Sequence, residues 1–130
     1  MKVPDDRQLQ GFFEGWPNPP SPEIHLEILN RSYAVILAVD DTVGRVIGFV
    51  TAIADGFFCA HVTLLEVLPD YRRGGVGTEL VRRMLAQLKG FYGISLSCDD
   101  ELRHFYARFG MQPGVAMNIR NHRWQAETPA

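Results

Sequence analysis

Apolar residues dominate three runs between positions 33 and 68, "YAVILAVD", "VIGFVTAIA" and "FCAHVTLLEVL", joined through short turns built on "DDTVG" and "DG". Runs of this length, rich in Val, Ile and Phe and bounded by Asp and Gly, read as strands. Links so short make consecutive strands antiparallel neighbours, and a meander is expected. The period changes on either side. Leu9, Phe12, Phe13 and Trp16 recur at helical spacing and predict a first helix. "WPNPPSPE" at 16–23 then makes a rigid corner, and Ser21 as cap with Pro22 at the first helical position opens a second helix reaching to about Asn30. After the third run, Val76, Leu80, Val81, Met84, Leu85 and Leu88 mark one apolar helix face that Gly90 closes. A strand is expected to return at about 92–98. Strand, helix and strand with a crossover of that length imply a parallel pair and a right-handed connection. Further on, "DELRHFYARFG" places Leu102, Phe105, Tyr106 and Phe109 on one side of a last helix that stops at Gly110. "GVAMNIR" alternates as an edge strand does, and residues 121–130 are expected to fray.

The pattern predicts one α/β domain over 1–130, an antiparallel meander followed by a β-α-β unit in a mixed sheet, with helices on both faces. Composition agrees: 130 residues suffice for one domain with a sizeable core. Hydrophobic residues make up 46% and charged residues 22%, the ordinary globular range. A net charge of −2 argues against nucleic acid as the main partner, because phosphate binding shows as a basic excess. Among 13 basic residues, the group Arg72, Arg73, Arg82 and Arg83 is therefore a local feature. Glu79 stands at ion-pair spacing from Arg82 and Arg83, which reads as a solvated helix face. Cys59 and Cys98 are at no metal-ligand spacing, no targeting segment opens the chain, and no apolar run approaches the roughly 18 residues of a membrane span. A cytoplasmic setting without metal or membrane partner is expected.

The chemistry concentrates in "YRRGGVGTEL" at 71–80, where glycines 74, 75 and 77 stand at the mouth of the third helix. The first amides of a helix have no partner within it and lie at the positive end of its dipole, so a bare turn there can wrap them around a phosphate. A phosphate-loop NTPase would need a lysine after the last glycine, but Thr78 and Glu79 follow Gly77. A dinucleotide fingerprint would need a glycine where Leu80 stands, and a meander is the wrong lead-in. Arginine or glutamine, two residues, glycine, one residue, then glycine or alanine is satisfied by Arg72, Gly75 and Gly77 after "EVLPDY".

Here the chain resembles the GNAT acetyltransferase superfamily, nearly end to end: two helices, a meander, the Val67 to Arg72 run, the glycine loop, a parallel strand and a helix with "FYARFG". The joint pattern, more than the glycine spacing, makes the resemblance specific. It implies transfer of an acetyl group from acetyl-CoA directly to a primary amine of a small molecule or peptide. It assigns the pyrophosphate to the loop Arg72, Arg73, Gly74, Gly75, Val76, Gly77 and Thr78. Backbone groups of Leu65 and Val67 would meet the pantetheine arm where the strands splay. The reading from another class is an acyl-CoA-binding sensor or interaction module without turnover. The chain departs from many relatives at Asp99 and Leu102, where they carry asparagine and alanine. It also shows no strand before the first helix and little length for two closing strands after Gly110; dimerisation is common among relatives, so the resemblance implies a homodimer as one way to complete the sheet.

Single residues carry two readings each. Tyr106 suits core packing on an amphipathic helix, whereas the resemblance makes it the acid that protonates the departing thiolate. His61 is either a hydrogen-bonded strand histidine or the base that takes the amine proton. Asp55 either forms the hairpin or places a carboxylate at the acceptor entrance. Trp16, Phe57 and Phe58 are core aromatics by default and acceptor-pocket walls by function. Glu66 is expected on the opposite strand face from His61, in a structural role or paired with an arginine.

Overall fold

A computed structural model describes residues 4–127. The meander forms as β1 (Ala34–Asp40), β2 (Arg45–Ala54) and β3 (Cys59–Val67), antiparallel in sequence order. β4 (Gly93–Leu96) lies parallel to β3, so the mixed sheet has the order β1-β2-β3-β4. Side chains make both hairpin turns: Asp40 Oδ1 accepts from the amide and hydroxyl of Thr42, and Asp55 Oδ1 accepts from the amides of Phe57, Phe58 and Cys59.

Two helices cover opposite faces. α1 (Pro22–Arg31) starts as expected, with Ser21 Oγ accepting from the Ile24 amide at 3.2 Å and Pro22 in the first turn. It buries His25 and Leu29 in a cluster with Leu9, Phe12, Phe13, Phe49 and Leu68. α2 (Val76–Gln87) lays Leu80 and Met84 over Val50, Ala52 and Val62 on the other face. Because both faces of β2 are covered, all its residues from Val46 to Ala52 are buried, which explains its unbroken apolar run. Close approach of α2 depends on Gly48. A methyl group there would come within 3.2 Å of Leu80 and 3.3 Å of Val76 and the Glu66 carbonyl. Gly48→Val is therefore expected to cost about 1–3 kcal/mol through overpacking, read as a lowered denaturant midpoint with unchanged slope.

Three expected elements differ. The helix predicted around Leu9 to Trp16 is only a 3-10 turn, Asp6–Leu9, followed by irregular chain with left-handed backbone at Gly11, Phe13 and Gly15. Its helical spacing arises because Leu9, Phe12 and Phe13 all drop into one cluster from a wrapped loop. The last helix is reduced to a 3-10 turn, Asp100–Leu102, and a five-residue α3 (Arg103–Ala107). The edge strand predicted at 114–120 has no strand partner among the described residues, and every side chain in it is exposed. Of the tail expected to fray, 128–130 lie outside the described residues, and His122–Gln125 forms a 3-10 turn. Among the described residues no helix is long and apolar enough to cross a membrane.

His25 is a buried polar group without hydrogen bonds, its ring set among Phe12, Phe13 and Phe49 at centroid distances of 5.3, 4.8 and 4.4 Å. Burial pulls its pKa from 6.5 down to about 4. The folded state thus favours the neutral ring. Stability from this group is complete above pH 6.5 and is lost as pH falls from there towards 4. The melting temperature is expected to drop between pH 6.5 and 5, above most carboxylate titration, and His25→Leu should flatten that segment.

Candidate active site

The site begins where β3 ends. Leu68 turns the chain into Pro69–Tyr71, a 3-10 turn anchored by the Tyr71 hydroxyl, which donates to Asp40 Oδ2 at 2.6 Å. Arg72 Nε donates to the Val67 carbonyl at 2.9 Å and fixes the loop against the strand it leaves. Arg73 and Gly75 take left-handed backbone at φ 70° and 84°, one on each side of Gly74. Gly75 in left-handed backbone directly before the right-handed start of α2 turns successive amides to one side, the geometry of an anion-binding nest. Gly75 caps α2 without a side chain, and the first helical bond runs from the Glu79 amide to the Gly75 carbonyl. The amides of Val76, Gly77 and Thr78 are thus left over by the helix.

Open space lies in front of those amides. A Cβ at Gly75 would meet nothing within 4 Å, and one at Gly77 only Val67 Cγ2 at 3.8 Å. Arg108, beyond α3, reaches the same mouth, with Nη2 donating to Thr78 Oγ1 at 3.2 Å and the guanidinium over the Phe105 ring. Its placement was not foreseen, although it stands two residues after Tyr106 in the motif that was. Arg82 and Arg83 pair with Glu79 along the exposed side of α2 and leave the loop alone.

Beside the loop the sheet opens. β4 pairs with Cys59 to Val62 and no further, so β3 runs on to Val67 without a strand neighbour on that side among the described residues. Leu68 donates to the Ile47 carbonyl across β2, and the alternation of an antiparallel ladder turns the backbone groups of Leu65 and Val67 towards the gap. Arg72 occupies the Val67 carbonyl.

A bulge reshapes the strand. Register steps from Thr51↔Leu64 to Ala52↔Val62, so Thr63 has no residue opposite it, and its hydroxyl instead meets that of Thr51 at 2.7 Å. The extra residue reverses the alternation. Val62, Leu65 and Val67 share the α2 face, whereas His61, Leu64 and Glu66 share the other. This corrects the expectation that Glu66 points away from His61, which assumed an uninterrupted strand. Glu66 Oε1 accepts from the Phe13 amide at 2.8 Å, and burial raises its pKa despite that bond and the nearby Arg72. His61 Nδ1 lies 2.9 Å from Ser95 Oγ across the parallel pair. When Nδ1–H donates to Ser95, Nε2 keeps its lone pair and can act as a base.

Tyr106 sits on α3, half-buried, and its pKa is raised first by burial and then by Cys98. A phenol so placed stays protonated and can donate. The acceptor-side residues are dispersed. Asp55 uses Oδ1 to hold the hairpin, and these backbone bonds lower its pKa. Phe57 is 86% exposed at the hairpin tip, and Phe58 stacks on Tyr92. Trp16 packs on Phe13 and lines an open hollow of about 450 Å³ with Pro17, Ile119, Arg120, His122 and Trp124.

The profile of the Acetyltransferase (GNAT) family matches residues 5–111. The chain belongs to this family. It is an acyltransferase with a mixed α/β fold. A Deinococcus radiodurans R1 structure described as a candidate acetyltransferase is 47% identical, covering 97% of this chain and 87% of that one at a TM-score of 0.92. A GNAT family acetyltransferase of Streptococcus pneumoniae TIGR4 is 29% identical over 82% of both chains, with a TM-score of 0.67. Glucosamine-6-phosphate N-acetyltransferase from Arabidopsis thaliana shares the fold at 16% identity, covering 76% and 74%, with a TM-score of 0.63. No curated protein matches the chain.

Proposed function

We propose that the protein moves an acetyl group from acetyl-CoA to a primary amine of a small molecule or peptide by direct transfer. The observation that carries this reading is the adjacency of the bare α2 amides to the gap between β3 and β4, an anion cradle opening onto free strand groups. Loop residues 72–78 would hold the pyrophosphate, with Arg108 as an added cation. The N–H of Leu65 would orient the pantetheine arm. The plant neighbour's name supports an amine as acceptor.

The residues divide the proton work. As the amine nitrogen bonds to the thioester carbon, an exposed amide of β3 offers a hydrogen bond to the carbonyl oxygen gaining charge. His61 takes the proton the nitrogen must lose. When the carbon–sulfur bond breaks, the electron pair goes to sulfur and Tyr106 supplies its proton. Of the dispersed acceptor-side residues, Asp55 and Phe57 would meet the acceptor from the hairpin and Trp16 from its own separate hollow. Two experiments test this. Thermal shift with acetyl-CoA and coenzyme A reads the cradle, and thiol release over a panel of amines reads turnover. Binding without thiol release from any amine would favour a sensor over an enzyme.

A further inference from the structure

Tyr106 rides on a segment that the body of the domain holds by little. The backbone bonds of residues 99–110 stay inside it, from the Leu102 amide to the Asp99 carbonyl, from Phe109 to Tyr106 and from Gly110 to Ala107. Its ion pair, Arg103 with Asp100, is internal too, and so are the ring contacts of Phe105 with Tyr106 and Phe109. None of its side chains belongs to either buried core cluster. Among the described residues one side-chain hydrogen bond crosses from this segment to the rest of the domain, from Arg108 Nη2 to Thr78 Oγ1 at 3.2 Å. The guanidinium is set for a second partner. It lies 5.1 and 5.8 Å from the centres of the Phe105 and Phe109 rings, its Nε reaches only the Phe105 carbonyl at 3.5 Å, and Nη1 has no partner among the described residues. Thr78, at the other end of the bond, also supplies one of the amides left over at the start of α2.

We propose that Arg108 is a positioning residue that ties occupation of the phosphate cradle to the seating of Tyr106. The inference rests on the acetyl-CoA reading above and adds which part of the donor brings the acid into place. With a phosphate on the α2 amides beside Thr78, Arg108 gains a charge-assisted bond, shorter and about twice as strong as the neutral one it makes to Oγ1. Arginine suits the task, because its planar fork can serve Thr78 and a phosphate oxygen together. Arg108 caps the short helix that carries Tyr106, so the new bond draws α3 against the loop and fixes the phenol. Cradle and clamp thus divide the binding energy of the phosphate. Contacts made equally before and at the transition state lower KM alone, whereas a contact that seats the acid raises kcat. The donor class follows. A thioester carrying the phosphates of the coenzyme turns over faster than the same thioester on pantetheine, and Arg108 accounts for the difference.

The test compares wild type with Arg108→Met, which keeps an unbranched side chain without charge, and Arg108→Lys, which restores the charge. Hydrogen exchange at the amides of 106–110 is followed without ligand, with saturating coenzyme A and with saturating pantetheine, which has no phosphate. Coenzyme A is expected to slow these amides about tenfold or more in wild type, and pantetheine to leave them unchanged. In Arg108→Met the slowing should vanish even where calorimetry shows coenzyme A bound. With one confirmed amine, the kcat advantage of acetyl-CoA over S-acetylpantetheine is expected at about 10- to 100-fold in wild type, near unity in Arg108→Met and largely recovered in Arg108→Lys. Arg108 is exposed, so the melting temperatures without ligand should agree. Should Arg108→Met melt early, coenzyme A against pantetheine on the wild-type amides decides alone. Failure of coenzyme A to bind wild type would remove the acetyl-CoA reading and this inference with it. Binding that leaves the amides unchanged, that slows them equally in Arg108→Met, or that pantetheine matches would overturn the clamp alone, as would a loss in Arg108→Met confined to KM.

Discussion

Gly77→Glu is expected to abolish acetyl-CoA binding while leaving a folded protein. The backbone at this position is not left-handed, and a Cβ would meet only Val67 Cγ2 at 3.8 Å, so the helix start tolerates a side chain. The carboxylate would stand in the space before the amides of Val76 and Thr78 and present a negative charge where the phosphate would sit. Loss of two charge-assisted hydrogen bonds, at about 1.5–3 kcal/mol each, puts the weakening at ~10²-fold or more before repulsion is counted. Titration calorimetry with acetyl-CoA reads the loss, and melting without ligand reads the fold. Gly75 is a poorer choice because its φ of 84° strains any replacement, mixing instability with lost binding. Undiminished affinity in folded Gly77→Glu would move the pyrophosphate away from this loop.

The parts of this site readable from sequence are those made by local chemistry. Ser21 and Pro22 announce α1, and glycines at 74, 75 and 77 announce a bare helix mouth whatever surrounds them. Short turns at 40–44 and 55–56 leave the meander no other pairing. What escaped reading depends on partners distant in the chain. Thr63 looks like any strand threonine, and only its pairing with β2 makes it the bulge that brings Glu66 to the His61 face. Leu9, Phe12 and Phe13 satisfy a helical period, but Gly11 and Gly15 in left-handed backbone let them reach the same core from a loop. Residues 114–120 have the alternation of a strand and no neighbour within the described chain, because alternation records which side will be buried and not by whom. The link between Arg108 and Thr78 spans thirty residues and has no local signature.

Tyr106→Phe and His61→Gln are expected to separate the two proton transfers. The attacking amine must lose a proton and the thiolate must gain one, and a single group could hardly serve both sides of the acetyl carbon. Each transfer contributes about 10²- to 10⁴-fold. Tyr106→Phe keeps the ring that packs edge-on against Phe105 at 4.9 Å and removes only the hydroxyl. It should lower kcat and kcat/KM together, leaving acetyl-CoA affinity and melting temperature nearly unchanged. Burial raises the phenol pKa, so the acid form persists through neutral pH and the alkaline fall of the profile should lie above the ordinary tyrosine range. His61→Gln retains a side chain able to reach Ser95 but cannot accept the proton, so it should lower kcat/KM by about 10²- to 10⁴-fold with acetyl-CoA affinity nearly unchanged. A pH series of kcat/KM for wild type and both variants, with one confirmed acceptor, decides the matter. Wild-type rates in Tyr106→Phe would return that side chain to packing alone. Wild-type rates in His61→Gln would pass the base role to Glu66, whose carboxylate the bulge turns to the same face, or to water.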